Sequence, residues 1–170
     1  LQGGGRIGQP PAHRGVIRVA VSGAAGRMGA TVCEAVADAP DLELAGRADP
    51  VLSAPIADVL DAADVIVDFT TPEAAPGNAR EAVAAGVHAV VGTTGFDVEA
   101  LRGEVEAARA GGANCLLAPN FAIGAVLMME AAKLVAPHMG ECEIVELHHH
   151  SKVDAPSGTA KRTAELVRGA

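Results

Sequence analysis

Apolar residues along this chain fall into short β-branched runs that alternate with longer stretches of helical spacing. Ile17-Arg18-Val19-Ala20-Val21-Ser22, closed by glycine, has the pattern of a buried strand. Residues 27–39 then set Met28, Val32, Ala35 and Val36 at helical intervals. Residues 42–45 alternate and predict a second strand, and residues 64–69 predict a third through Val65, Ile66 and Val67. A helix is expected over 73–85, with Thr71 as its N-cap and Pro72 at its first position. Pro76 fits that helix less well, because it removes one backbone donor near the start. Strand 87–91, helix 97–110 with a Gly111-Gly112 stop, strand 115–118 and the long apolar helix 123–136 follow. Residues 143–147 predict a sixth strand, and 157–167 a final helix.

Strands that alternate with helices mean βαβ units, a parallel sheet and right-handed crossovers. The fold class is therefore α/β, with the first five strands in one sheet. The sixth strand and last helix read as the start of a second, smaller α+β unit. This divides the chain into an extension (1–15) without periodicity, a sheet domain (16–141) and an incomplete second domain (142–170). The chain begins at Leu1 and stops in or just after a helical segment, so it reads as a piece of a longer protein.

Composition narrows the function classes. The 170 residues are 49% hydrophobic and 20% charged, which permits a packed core. Aromatics are only three Phe, without Trp or Tyr, so a stacking platform for single-stranded nucleic acid is disfavoured. A formal net charge of -8 gains nothing from a phosphate backbone. Cys33, Cys115 and Cys142 match neither a disulfide framework nor a zinc motif, which points to a reducing compartment. No run of 18 apolar residues predicts a membrane span, and residues 1–15 lack the apolar stretch of a signal peptide. The expected location is the cytoplasm.

Gly23-Ala24-Ala25-Gly26-Arg27-Met28-Gly29 joins the first strand to the first helix. Glycines there permit a tight turn and let a pyrophosphate approach the backbone, where the helix N-terminus offers N–H groups. The spacing is GxxGxxG, a weak signal alone, strengthened by the strand before it and the helix after it. A ribose-binding acid is expected about 20 residues further on, and Asp49 is the best placed. Arg27 and Arg47 are candidates for a 2′-phosphate. Ligands of open α/β sheets bind beyond the carboxyl ends of the strands. Polar segments fall at those ends: Phe69-Thr70-Thr71-Pro72, Gly92-Thr93-Thr94-Gly95 and Ala118-Pro119-Asn120-Phe121.

The richest chemistry lies in His148-His149-His150-Ser151-Lys152-Val153-Asp154-Ala155-Pro156-Ser157-Gly158-Thr159. Adjacent residues of a strand face opposite ways, so His148 and His149 have different tasks. Imidazole suits proton transfer near neutral pH, and Lys152 supplies a compact positive charge. Ser157-Gly158-Thr159 opens the last helix, where N–H groups and hydroxyls hold a carboxylate. A metal site is disfavoured, because a straight strand does not converge three imidazoles and no HExxH pattern is present. A purely solvated histidine run remains the alternative.

The segment Glu146-Leu147-His148-His149-x-x-Lys152-x-Asp154-x-Pro156-Ser157-Gly158-Thr159-Ala160 closely resembles the signature of dihydrodipicolinate reductases. The glycine turn, Asp68-Phe69-Thr70, Gly92-Thr93-Thr94-Gly95 and Ala118-Pro119-Asn120-Phe121 resemble the same family in the same order. The resemblance implies a Rossmann-like domain and hydride transfer from NADH or NADPH to a small cyclic dicarboxylate in lysine and diaminopimelate synthesis. It implies His148 and Lys152 as catalytic, with His149, Gly158 and Thr159 on the substrate. It further implies cofactor contacts at Gly23, Gly26, Arg27, Met28, Asp49, Gly92, Thr94, Ala118, Asn120 and Phe121. Members are usually homotetramers, and they extend beyond the length of this chain. Arg47 stands where the family often has its acid, with Asp49 two positions later, so NADH and NADPH both stay open. Another Rossmann dehydrogenase, or a non-catalytic nicotinamide-binding module, is the competing reading.

Overall fold

The computed structural model describes residues 15–118, 120–148, 150 and 155–170. Five strands form one parallel sheet: β1 (Ile17–Ser22), β2 (Leu42–Ala48), β3 (Val65–Asp68), β4 (His88–Val91) and β5 (Cys115–Leu117). Their order is β2-β1-β3-β4-β5, so β1 lies inside the sheet, with the helix after β1 on one face and those after β2, β3 and β4 on the other. This is the Rossmann-like α/β arrangement expected from the alternation of strands and helices. The connecting helices are α1 (Arg27–Asp38), α2 (Ala57–Leu60), α3 (Ala75–Ala84), α4 (Val98–Ala108), α5 (Ile123–Val135) and α6 (Gly158–Arg168).

The two-residue period of the strands supplies both faces of the sheet. Val19 and Val21 of β1 pack with Cys33 and Val36 of α1. Ala20, Ile66, Ala89 and Val91 point the other way, onto Ala79, Ala82, Val83 and Leu101 of α3 and α4. Alanine dominates this second layer, which brings helix and sheet close together.

Several expectations shift in detail. β2 runs three residues further than its alternation suggests, to Ala48, and its pairing with β1 slips at Val19/Ala20. Asp49 therefore follows the strand end directly. Thr71 is not the cap of α3: its carbonyl accepts from the N–H groups of Ala74 and Ala75, and the helix begins at Ala75. Pro76 then falls in the first turn, where a missing N–H costs nothing. α2 and a single 3-10 turn at Pro50–Leu52 carry too few residues to show a period. The sixth strand expected over 143–147 does not form. Among the described residues these positions find no partner strand, and Val145 and Leu147 are 82% and 92% exposed. A strand without a neighbour leaves its N–H and C=O groups to water and has nothing to hold it extended.

Candidate functional site

The strand register builds the site. Ala48, Ser22, Asp68, Val91 and Leu117 pair in a single row across the sheet. One residue beyond that row the ladder continues into the loops. The N–H of Gly23 donates to Ala48 O at 2.9 Å, Phe69 N to Ser22 O at 3.0 Å, Gly92 N to Asp68 O at 2.9 Å, and Ala118 N to Val91 O at 3.0 Å. The glycine turn, the acid after β2 and the three polar loops thus emerge side by side along one edge.

Gly23 turns the chain with φ +77°, and a Cβ there would strike the carbonyl of Phe69. A Cβ on Gly29 would strike the carbonyl of Gly23, so α1 can sit tightly on the turn only with glycine at this position. No side chain caps α1 at Gly26, which leaves the helix N-terminus to an external anion. Arg27 and Met28 lie exposed in the first turn of α1. Asp49 is buried, and both its carboxylate oxygens are engaged. Oδ2 accepts from Ala25 N at 3.0 Å and Oδ1 from Val51 N at 2.9 Å. Asp49 therefore ties the glycine turn to the end of β2. A crevice of about 830 Å³ opens beside it, lined by Gly23, Gly26, Asp49, Phe69, Thr70 and Asn78 among others.

On the other side of the row, Gly92 lies against the ring of Phe69, with no room for a Cβ. Phe69 meets Phe121 at a centroid distance of 5.6 Å and an interplanar angle of 53°. Two of the three aromatic rings thus join the β3 and β5 loops. Asn120 links the loop after β5 to α6: its Nδ2 donates to Thr159 Oγ1 at 3.0 Å, and its Oδ1 accepts from Ala122 N at 2.8 Å. Ser157 caps α6 by accepting from Ala160 N at 3.1 Å, while its own N–H donates to Glu146 Oε1 at 2.8 Å. Glu146 Oε2 stands 3.8 Å from Nδ1 of the partly exposed His148. A second crevice, of about 750 Å³, is shared by Thr94, Ala118, Gly158 and the α4 face.

The structure thus brings together Gly23, Gly26, Asp49, Gly92, Thr94, Ala118, Asn120, Phe121, Gly158 and Thr159 along one edge. His148 lies near this edge, with Nδ1 at 3.8 Å from the Glu146 carboxylate that holds Ser157 N. His149 and Lys152 lie outside the described residues. Sequence reasoning missed the roles of Glu146 and of the group formed by buried Asp68 and Ser22 with half-buried Asn78, although Asp68 and Glu146 stood inside recognised motifs. Among the described residues no group of three or more His, Cys, Asp or Glu is placed to hold a metal, and no helix is long and apolar enough to cross a membrane.

Comparison with known proteins adds the following. The family model described as dihydrodipicolinate reductase, N-terminus, matches residues 17–121, and that of the C-terminus matches residues 124–170. The 4-hydroxy-tetrahydrodipicolinate reductase of Beutenbergia cavernae is 50% identical over 155 residues, covering 91% of this chain and 62% of that protein. Its counterpart from Cutibacterium acnes is 51% identical over 160 residues, with the same 91% and 62% coverage. The chain therefore spans about 62% of the length of these curated relatives. A dipicolinate-bound dihydrodipicolinate reductase from Paenisporosarcina sp. TG-14 superposes with a TM-score of 0.70 at 34% identity, over 91% of this chain and 66% of that one. The WlbA dehydrogenase from Bordetella pertussis, at 19% identity and a TM-score of 0.55 over 75% of this chain and 41% of that one, shares the fold alone.

Proposed function

The chain belongs to the dihydrodipicolinate reductase family, and from that premise we propose that it carries the cofactor half and the first part of the substrate half of a 4-hydroxy-tetrahydrodipicolinate reductase. The reaction is reduction of a cyclic dicarboxylate to tetrahydrodipicolinate, a step of lysine and diaminopimelate synthesis in the cytoplasm. The observation that carries this reading is the Asn120–Thr159 hydrogen bond at 3.0 Å. It sets the start of α6, suited to a carboxylate, against the edge where the glycine turn and the three loops open.

NADH or NADPH fits that edge, because α1 starts without a side-chain cap and glycines line the turn before it. When bound, it supplies the hydride. Gly23, Gly26, Arg27 and Met28 hold its diphosphate, and Asp49 stands at the ribose. Gly92, Thr94, Ala118, Asn120 and Phe121 border the nicotinamide. Asp49 already accepts two backbone N–H groups. Its remaining lone pairs serve a ribose hydroxyl weakly, which is consistent with use of either cofactor. Arg27 and Arg47, both exposed, are available to a 2′-phosphate.

The substrate carboxylate is received by the N–H of Gly158 and the hydroxyl of Thr159, and His149 is a further substrate-binding residue by resemblance to the family. His148 is the proton donor, and Lys152 assists by its charge. Glu146 lies on the Nδ1 edge of His148, which leaves Nε2 for the substrate. The dipicolinate bound to the Paenisporosarcina enzyme supports a planar dicarboxylate as the ligand class. The whole protein is a homotetramer in this reading, as its family implies.

The test is NADH binding with and without pyridine-2,6-dicarboxylate. The chain has no Trp or Tyr, so cofactor emission is read against a dark protein. NADH affinity that rises when the dicarboxylate is present is the expected result. Affinity that ignores the dicarboxylate reduces the chain to a dinucleotide-binding module, and absence of NADH binding overturns the reading.

A further inference from the structure

Asp68, the last residue of β3, is only 1% exposed, yet no cation lies among its hydrogen-bond partners. Its Oδ1 accepts from Thr70 N at 3.1 Å, Thr70 Oγ1 at 2.7 Å and Thr93 Oγ1 at 3.2 Å. Its Oδ2 accepts from Asn78 Nδ2 at 2.7 Å, and the same amide reaches Ser22 Oγ at 3.2 Å. Burying a carboxylate among neutral donors costs desolvation that an apolar side chain would avoid. A carboxylate offers one property that other side chains of its size lack: it accepts at every lone pair and donates nowhere. It can therefore gather donors from several segments at once. Here those segments are the loop after β3, the loop after β4, and α3, which in turn reaches the end of β1.

We propose that Asp68 is the positioning residue of the nicotinamide side of the site, holding the Phe69–Thr70 and Thr93–Thr94 loops in one mutual arrangement through its carboxylate. The proposal deepens the reductase reading and rests on it for the identity of the ligand. The strand order supports the division of labour. The acid after β2 and the turn after β1 serve the adenosine and diphosphate, so the loops after β3 and β4 lie further along the cofactor. The main-chain carbonyl of Asp68 also holds Gly92 N at 2.9 Å, so one residue fixes the β4 loop twice. Asparagine is a poor substitute, because it meets the Asn78 amide donor to donor unless that amide turns over, and it removes the charge that strengthens all four bonds.

That geometry defines the experiment. Asp68→Asn, the exchanged pair Asp68→Asn with Asn78→Asp, and the milder Thr93→Val are compared with the parent chain. In the exchanged pair the amide at 68 donates to the carboxylate at 78, which also accepts the Ser22 hydroxyl. The readouts are amide hydrogen exchange over residues 92–97 against α1, and the affinities of NADH and of ADP-ribose, which lacks the nicotinamide.

Asp68→Asn is expected to speed exchange over 92–97 by about tenfold with α1 unchanged. It is expected to weaken NADH by about tenfold and ADP-ribose by less than about threefold. The exchanged pair recovers both to within about threefold of the parent. Thr93→Val, which removes one donor from the loop and nothing from the core, gives a smaller NADH loss at unchanged melting temperature. It decides the matter if Asp68→Asn does not fold. Unchanged exchange over 92–97, equal losses for NADH and ADP-ribose, or an exchanged pair as impaired as the single variant would each overturn the proposal. A parent chain that binds neither nucleotide overturns the reductase reading instead, and the exchange readout still decides the role of Asp68.

Discussion

Replacing Gly92 by alanine places a methyl group into the ring of Phe69, meeting its Cε1, Cζ and Cδ1 atoms. Two responses are open to the protein. It can keep the ring and accept overpacking, at about 1–3 kcal/mol. Alternatively, it can swing the ring away and forfeit the Phe69–Phe121 contact, at about 0.5–1.5 kcal/mol, plus a strained rotamer at about 0.5–1.5 kcal/mol. Phe69 is only partly buried, so the second route is open and the expected loss is about 1–2 kcal/mol. For a chain of this size that lowers the melting temperature by roughly 2–8 °C. The same movement disturbs the crevice that Phe69 lines, so NADH affinity falls with stability. Thermal melts and fluorescence titration read the two effects separately. Leucine at 69 lacks the Cε1 and Cζ atoms that stand nearest the new methyl. Phe69→Leu in the Gly92→Ala background is therefore expected to recover about 1 kcal/mol relative to the sum of the single variants. A Gly92→Ala chain that melts and binds like the parent, or a double variant whose losses simply add, would refute the reasoning.

Two further outcomes follow from ionisable groups. The carboxyl of Glu73 sits below its ordinary value of 4.5, because its own N–H and the Thr71 hydroxyl bond to the ionised form. Its folded-state value is depressed, so its contribution is present above the unfolded value and is lost as pH falls through the folded one. NMR titration of Glu73 is expected to show a midpoint below 4.5 that moves upward in Thr71→Val, and an unmoved midpoint contradicts this. Among the thiols, Cys142 is exposed, Cys33 is buried, and burial pushes the half-buried Cys115 thiol up. A disulfide reagent at mildly alkaline pH is expected to modify Cys142 first. The fast phase should vanish in Cys142→Ser, and its survival there would show that another thiol reacts first.

What could be read from the chain depended on how local each feature is. The strand–turn–helix around Gly23–Gly29 is contiguous, and its glycines announce the close approach that the structure shows. Asp49 was legible by spacing alone, but its two backbone partners were not, since Ala25 lies 24 residues away. The Asp68 group draws on positions 22, 70, 78 and 93, from four segments that only the sheet order brings together. No periodicity in the chain encodes that convergence. The strand expected over 143–147 failed for a related reason: alternation describes a residue's two faces, but pairing needs a second segment. The bond from Asn120 to Thr159 spans 39 residues and joins two recognised motifs whose adjacency neither motif reveals.

The order β2-β1-β3-β4-β5 is also an order of assembly. β1 accepts β2 on one side and β3 on the other, so the first three strands to pair come from one contiguous stretch of chain. After that every new strand is added at the same growing edge, each through a short crossover. A ribosome that releases the chain from its N-terminus thus supplies the strands in the sequence in which the sheet can use them, and no late segment has to thread between two early ones. The row of loops that holds the ligand is laid down in the same direction. The phosphate-binding end is complete first, and the far end is closed only when the last strand docks.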